Sequence, residues 1–405
     1  MLGRHIRRLI KFEQKISKNK NTTDQVRDKL WTKQFILVTF INLLIFFGFQ
    51  LITPTLPVHI KDLGAGDNIV GWVNGVFTIA TLLIRPFIGV GLDRLGRKGI
   101  FLSGLLVFIA ITASYTWLST VALILFFRFI HGFGWGALNT AANTIATDII
   151  PVSRFGEGMG YFTLASNVAM AISPSIGLYI IAQYSFQAAS LLSSGLLLLG
   201  LVFSFALKYR RIEKQDQPIK KAALFEKTAI RPSIIIFFVT ITYGVVNSFL
   251  ALYAIERGIA NGGMFFTVMA IALVVSRPVF GMVVDRFNYG YAIIPGLLII
   301  IFSMLLLAQA STLSLLLVSG AAYGVGFGAA QTSLQAMAVS EAPRDRLGAA
   351  NSTFFTAFDS GIGVGSILLG NVAAAFGYSK MFLWSIAPVV LALLLFLFLT
   401  GRAEA

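Results

Sequence analysis

The sequence predicts an all-α membrane protein in which twelve transmembrane helices form two pseudo-symmetric halves of six. Three observations predict it. Apolar runs of about 20 residues, the length that crosses a hydrocarbon core, recur along the chain, and the first, residues 34–56, carries no charge. Charged residues are 12% and hydrophobic residues 57% of the 405 positions, with a mean hydropathy of +0.82. A soluble domain carries about 25% charged residues, so too little charge is present here to clothe a water-facing surface. Disorder is argued against too, because disordered chains are poor in apolar residues. Finally, a set of motifs returns at a constant offset of 192 residues. Cysteine is absent, which excludes disulfides, thiolate metal sites, iron–sulfur clusters and cysteine nucleophiles.

The spans are expected at about 34–57, 69–90, 99–118, 120–148, 159–182, 185–207, 233–255, 263–284, 290–310, 312–339, 350–376 and 380–400. These runs are twice the length of the alternating strands of a membrane barrel. Basic residues orient them. The first 33 residues hold ten Lys and Arg, segment 208–232 holds eight, and the joints 91–98, 149–158, 285–289, 340–348 and the tail hold eight more, so 26 of the 32 fall on one side. Opposite joints hold only Lys61, Arg257 and Lys380, while Arg85, Arg128 and Arg277 lie inside spans. The excess of Lys and Arg on cytoplasmic loops then predicts a multi-pass protein of the cytoplasmic membrane with both termini in the cytosol. On this distribution the net charge of +15 reports orientation, and no nucleic-acid partner is expected. Residues 1–33 form a basic cytosolic tail in which Leu2, Ile6, Leu9, Ile10 and Ile16 fall roughly on one helical face among Arg4, Arg7, Arg8, Lys11 and Lys15. Such a segment is either an interfacial helix on anionic lipid or a frayed tail.

The repeat is read from Arg85-Pro86-x-x-Gly89-x-x-x-Asp93-Arg94, which returns as Arg277-Pro278-x-x-Gly281-x-x-x-Asp285-Arg286. The same offset carries His131-Gly132-Phe133-Gly134-Trp135-Gly136-Ala137 onto Tyr323-Gly324-Val325-Gly326-Phe327-Gly328-Ala329, and Pro151, Arg154 and Gly156 onto Pro343, Arg346 and Gly348. One ungapped offset over some 70 residues implies an N-terminal six-helix half at 34–207, a cytosolic linker at 208–232 and a C-terminal six-helix half at 233–405. Parallel halves related by an axis along the membrane normal are the arrangement of major facilitator transporters.

The joint after span two, Gly89-Val-Gly-Leu-Asp93-Arg94-Leu-Gly96-Arg97-Lys98, resembles the signature G-x-x-x-D-R-x-G-R-[RK] of the major facilitator superfamily at every specified position. The resemblance implies the major facilitator fold and a conformational latch built from Gly89, Asp93, Arg94, Gly96, Arg97 and Lys98. Its weaker second copy holds Asp285 and Arg286. The physics suits that role. Gly89 would let helices approach, Gly96 would permit a tight turn, and Asp93 at a helix end could face basic groups or a helix N-terminus. The alternative is that the basic residues only set topology.

Span four contains Arg128-Phe-Ile-His131-Gly132-Phe-Gly134-Trp-Gly136-Ala137. It is similar to the R-x-x-Q-G-x-G-A-A element of proton-coupled exporters in this superfamily, with His131 in the Gln place, and this implies a part for Arg128 in proton coupling. An arginine in hydrocarbon is costly and normally turns to a cavity or a partner. His131, one turn on, is either a proton carrier or a packing residue that hydrogen-bonds. Span five reads Ala169-Met-Ala-Ile-Ser173-Pro174-Ser-Ile-Gly177, which keeps Pro and the last Gly of the antiporter element G-x-x-x-G-P-x-x-G. Span eleven, at the same offset, holds Gly361 and Gly365 and lacks the proline.

Asp359 is the only acid well inside a predicted span. A carboxyl at that depth can bind and release protons near neutral pH and so couple transport to the proton gradient. Alternatively it forms a permanent ion pair with Arg128 or another intramembrane arginine. Its repeat counterpart is Asn167. Arg85 and Arg277, each preceding a proline, are expected to reach headgroups or freed carbonyls. In the major facilitator fold the first, fourth, seventh and tenth helices line the pathway. Here they carry polar residues one turn apart: Asn139 with Asn143, Tyr243 with Asn247, Gln331 with Gln335, and Gln50 with Phe46. Amides and aromatics without fixed charge suit a neutral or weakly cationic amphipathic solute.

Together these features predict proton-coupled export of small amphipathic molecules, drug-like or a native metabolite, by alternating access. The rivals are a proton-coupled importer of a neutral solute such as a sugar or peptide, and a non-transporting sensor of the same fold. No catalytic set, metal site or cofactor is expected. The proton gradient is the expected energy source, and the lack of a G-x-x-x-x-G-K-[ST] loop argues against ATP. The expected partners are a small-molecule substrate, protons and the lipid bilayer, with the monomer as the functional unit.

Overall fold

A computed structural model describes residues 29–94, 96–209, 226–340, 342–343 and 347–401. Residues 1–28 of the basic tail, read as either an interfacial helix or a frayed tail, and most of the linker lie outside the described residues. Among the described residues twelve helical spans are long and apolar enough to cross a bilayer, and all regular structure there is helical. Span two is the helix Asp67–Arg94, span three Arg97–Ser114, span four Val121–Ile149, span five Phe155–Gln183 and span six Phe186–Ser204. Spans seven to eleven are Ile230–Glu256, Met264–Arg286, Gly290–Gln309, Leu313–Ser340 and Leu347–Phe376. The first and last spans are broken: Lys33–Ile52 gives way to Thr55–Asp62 at Thr53-Pro54, and Tyr378–Trp384 to Ile386–Gly401 at Ser385. Proline removes a backbone donor and leaves carbonyls free. Thr53 Oγ1 donates to the Phe49 carbonyl at 2.9 Å and Thr55 Oγ1 to the Leu51 carbonyl at 2.8 Å, so the break in span one leaves few orphan groups in hydrocarbon.

In lipid the hydrophobic effect does not drive helices together, so small residues that admit close contact decide the packing. The repeat is visible in those contacts. A Cβ on Gly132 would lie 2.3 Å from the Phe77 carbonyl oxygen, and one on Gly324 would lie 2.1 Å from that of Met269. Gly104 lies against Gly134 and Leu138, as Gly296 lies against Gly326 and Ala330. Every residue in the second set is 192 positions beyond its partner in the first. Spans two, three and four therefore pack together in the same register as spans eight, nine and ten. The small residues of the span-five element serve the same end: Gly177 admits the Leu51 carbonyl, and buried Ser173 donates to that of Phe47, holding span five on span one. In span eleven Gly361 and Gly365 admit the carbonyls of Phe237 and Ile241 of span seven.

The halves meet along two seams, span two on span eleven and span five on span eight. These too are repeat equivalents. Gly71 of span two lies against Ser366 and Gly370, and Gly263, 192 residues later, lies against Ser175 and Leu178. The end of the bundle that carries joints 91–98, 149–158 and 285–289 is called here the basic end. At the other end the halves are tied beside both seams, the first by Tyr378 at the start of span twelve. Tyr378 donates to Asp67 at 2.7 Å, with Lys61 on the same carboxylate at 2.6 Å, and Ser175 donates to the Gly263 carbonyl at 2.6 Å. Toward the basic end, spans five and eight part around a cleft of about 670 Å³ bordered by Tyr161, Leu164, Asn167, Val274, Arg277 and Pro278.

Candidate functional site

Asp359 sits in span eleven and forms an ion pair with Arg85 of span two, across the seam between the halves. At 1.5 Å per residue, the two lie roughly 18 Å and 14 Å from the basic-end termini of their helices. About a quarter of each side chain is exposed, so the pair borders the space between the halves and is not sealed in the packing. Of the two roles left open for Asp359, an intramembrane arginine partner is present, and it is Arg85 instead of Arg128. Arg85 and Arg277 also depart from expectation. Both are held by side chains of the other half, Arg85 by Asp359 and Arg277 by Asn167. Arg277 donates from Nη1 to Asn167 Oδ1 at 3.4 Å and from Nη2 to Gln331 Oε1 at 3.1 Å.

Arg128 lies fully buried inside the N-terminal half. Its Nε donates to the Val73 carbonyl at 3.3 Å, Nη2 to Asn74 Oδ1 at 3.4 Å and Nη1 to His131 Nδ1 at 3.2 Å, while Phe77 presents its ring face 4.2 Å from the guanidinium carbon. Its charge is therefore solvated by a carbonyl, an amide oxygen, an imidazole nitrogen and a π-face. No carboxylate reaches it among the described residues. An arginine can only donate, so His131 must present a lone pair at Nδ1 and carry its proton on Nε2. That proton points at Thr112 Oγ1, 3.2 Å away, which in turn donates to the Phe108 carbonyl at 2.8 Å. Tyr115 completes the cluster, its hydroxyl 3.2 Å from Nδ1. In this arrangement His131 is a neutral link between Arg128 and span three.

The cluster is joined to the seam. Asn74 Nδ2 donates to Ser248 Oγ at 2.8 Å and Ser248 Oγ to Ser366 Oγ at 3.0 Å, carrying a chain of hydrogen bonds from Arg128 through spans two and seven to span eleven. Ser366 is two turns along the same helix from Asp359. Neither Asn74, Ser248 nor Ser366 was singled out by the sequence, since each is an ordinary small polar residue whose importance comes from its neighbours.

At the signature joint, Gly96 has φ +94°, a backbone conformation that favours glycine. The turn between spans two and three therefore needs it. Arg97 Nε donates to Asp148 at the end of span four at 3.0 Å and Nη1 to the Leu92 carbonyl at 3.1 Å, while the Lys98 ammonium stands 5.9 Å from the ring centre of Tyr209. Burial pushes the Tyr209 hydroxyl up to about 12. The surroundings of Gly89 and the side chains of Asp93, Arg94 and Asp285 are not among those described. Arg286 is exposed beside Phe287.

The pathway residues fall into two groups. Tyr243, Asn247 and Gln50 are buried. Tyr243 stacks on Phe327 with ring centres 4.9 Å apart, and Asn247 donates to the Tyr243 carbonyl at 2.9 Å. Phe46 meets Trp135 edge-on at 5.1 Å. Nearer the basic end Asn143 is exposed and donates to Asn139 Oδ1 at 3.0 Å, while Gln335 reaches Asn351 at 3.4 Å. Gln331 is held by Arg277. No cluster of three or more potential metal ligands occurs among the described residues.

Comparison with known proteins accords with this geometry. The profile of the Major Facilitator Superfamily matches residues 38–366. The MFS-type transporter MJ1560 of Methanocaldococcus jannaschii is 27% identical over 362 residues, covering 86% of this chain and 92% of its own. The quinolone resistance protein NorA of Staphylococcus aureus is 24% identical over 249 residues, covering 58% of this chain and 64% of NorA, a little under two thirds of that protein's length. Among solved structures, the nucleoside transporter NupG superposes with a TM-score of 0.78 at 14% identity, covering 90% of this chain and 99% of that one. A bacterial homologue of the lysosomal transporter Spinster superposes with a TM-score of 0.77 at 16% identity over 91% and 96%. At those identities the likeness is one of fold. Together with the paired seams, the repeat and the signature joint, the match places this chain in the Major Facilitator Superfamily.

Proposed function

We propose that the protein is a proton-coupled secondary transporter that exports small amphipathic molecules by alternating access. The observation that carries this reading is the Arg85–Asp359 pair across the seam. Alternating access requires the halves to rock about a midplane site, so a contact that bridges them must be made in one state and broken in another. A carboxylate in that contact is a natural control point. Ionised, it neutralises Arg85 and draws span two to span eleven; protonated, it loses the charge attraction and leaves Arg85 to seek water. Proton binding and release thereby bias the two states, which is coupling in the thermodynamic sense. Arg128 supports the same cycle at a distance, because its hydrogen-bond chain ends on the helix that carries Asp359.

The cleft gives a solute access from the cytosol. The basic end holds the joints that the positive-inside rule assigns to the cytosol, and the cleft between spans five and eight lies toward that end. Likeness to a quinolone resistance protein agrees with outward transport of amphipathic compounds. Arg97, tied to Asp148 at the turn after span two, would hold the basic ends of spans three and four as one body while the seam opens.

Inverted membrane vesicles with an acidic lumen test the reading. Solute should accumulate in vesicles bearing the wild-type protein and fail to do so with Asp359→Asn. Wild-type accumulation in both Asp359→Asn and Arg128→Ala would remove the coupling mechanism. Uptake by whole cells along the same gradient would turn the direction round.

A further inference from the structure

The repeat sets two interfaces side by side and shows that one of them lacks a charge. Arg85 and Arg277 are repeat equivalents, as are Asp359 and Asn167. Each arginine reaches across to the equivalent position of the other half, Arg85 to Asp359 and Arg277 to Asn167. Where Arg85 finds a carboxylate, Arg277 finds two amide oxygens, those of Asn167 and Gln331. They orient the guanidinium but leave its charge standing. Its Nε, shielded from solvent, has no acceptor. Arg128, the third arginine within the spans, shows what a self-sufficient buried cation looks like here: fully enclosed and held on every side. Arg277 is half-buried, and it borders the cleft of about 670 Å³ between spans five and eight.

The rest of the cleft fits an amphipathic guest. Leu164, Val274 and Pro278 supply an apolar wall. Glu157, an acid that also lines it, is taken up by Arg154 through contacts of 2.6 and 2.8 Å. Gln331, which the sequence placed on the substrate pathway, is the group that ties Arg277 to that pathway. We propose that Arg277, presented by Asn167 and Gln331 in the cleft between spans five and eight, binds the oxyanion of an amphipathic solute, most simply a carboxylate. The solute then supplies at this seam the anion that Asp359 supplies at the other. The uncharged pathway amides had suggested a neutral or weakly cationic solute; an arginine that reaches one of them changes the substrate class. This inference rests on the transporter reading only in placing the cleft on the substrate's route.

Binding is measured without a pH gradient, on the full-length protein in phosphatidylcholine nanodiscs. The readout is thermal stabilisation by 4-phenylbutyrate, 4-phenylbutanol and 4-phenylbutylamine, which share one hydrocarbon body. The carboxylate should stabilise saturably and the alcohol and amine should not. Arg277→Gln, which keeps donors but removes the charge, should weaken that binding about tenfold or more, and Arg277→Lys should recover part of it. Asn167→Asp keeps the arginine and offers it an internal carboxylate, so it should weaken binding similarly without removing the cation. Equal stabilisation by all three probes, none by the carboxylate at millimolar concentration, or unchanged binding in both Arg277→Gln and Asn167→Asp would overturn the proposal. A second arm replaces part of the phosphatidylcholine with phosphatidylglycerol. Arg277-dependent stabilisation by that lipid, with no response to 4-phenylbutyrate, would assign the site to a phospholipid headgroup and overturn the solute. Loss of proton coupling in vesicles leaves this result standing, and failure here leaves the coupling reading standing.

Discussion

Along the seam of spans two and eleven Arg85 faces Asp359, and along the seam of spans eight and five its repeat partner Arg277 faces Asn167. The backbones agree closely enough that Gly71 meets Gly370 and Gly263 meets its repeat equivalent, Leu178. The difference is a carboxylate exchanged for an amide, which removes one charge and the ability to titrate while leaving the size of the side chain almost unchanged. A duplicated scaffold can in this way keep one contact for the driving ion and leave the other with an unsatisfied cation. Close packing makes the seams alike, and one electrostatic change makes them different.

The largest expected effect comes from making the two seams identical. Asp359→Asn should reduce pH-driven accumulation in inverted vesicles to the level of vesicles without the protein, while solute counterflow, which needs no proton, persists. Equal loss of both activities would mean that the pair only holds the fold. Next, combining Asp359→Asn with Asn167→Asp moves the carboxylate to the other seam. At solute concentrations high enough to offset the weaker binding expected of Asn167→Asp, pH-driven accumulation should return in part, because Arg277 can then take the role of Arg85; if it does not, position matters and charge alone does not.

A third test concerns the packing that the halves share. Gly132→Val and Gly324→Val each force a side chain into a carbonyl of the neighbouring helix, at 2.3 Å and 2.1 Å for the first added carbon. Overpacking of this kind costs about 1–3 kcal/mol, so the two variants should lower thermal stability in detergent by comparable amounts. A large inequality would show that the halves are alike in register but not in rigidity. The smallest effects belong to the ties at the end away from the basic joints. Tyr378→Phe and Ser175→Ala each remove a hydrogen bond between halves, worth about 1 kcal/mol. Each should shift the population open at that end roughly fivefold, read by distances between spin labels on spans two and eleven or five and eight. A shift for one and none for the other would mean that one seam alone governs opening.

How far the site was legible follows from where each signal lies. Arg85, Asp359, Arg277 and Asn167 were all visible, and the offset of 192 related them in pairs. What could not be read was that span two touches span eleven and span eight touches span five. Without that, Arg85 was assigned to lipid and kink carbonyls, and the partner of Asp359 stayed open between Arg128 and another arginine. Arg128 and His131 were found together because they are one turn apart, a local relation that helical periodicity exposes. Asn74 and Asp148, more than fifty residues from the arginines they bind, carried no such mark. Gly96 is the opposite case: a glycine between two helices announces a turn that requires its φ.

By itself the sequence determined the twelve spans, their orientation signal and the doubling of the fold. Each of these depends on properties summed along the chain: apolar length against bilayer thickness, the placement of 32 basic residues, and a repeat in register. Only the tertiary structure decided which charges meet. Pairing across the seams depends on helix rotation and on contacts between residues 110 to 274 positions apart, such as Asn167 with Arg277 and Arg85 with Asp359. A guanidinium within a few ångströms of a carboxylate and one left beside an amide look the same in one dimension, and in a low-dielectric interior that difference decides their chemistry.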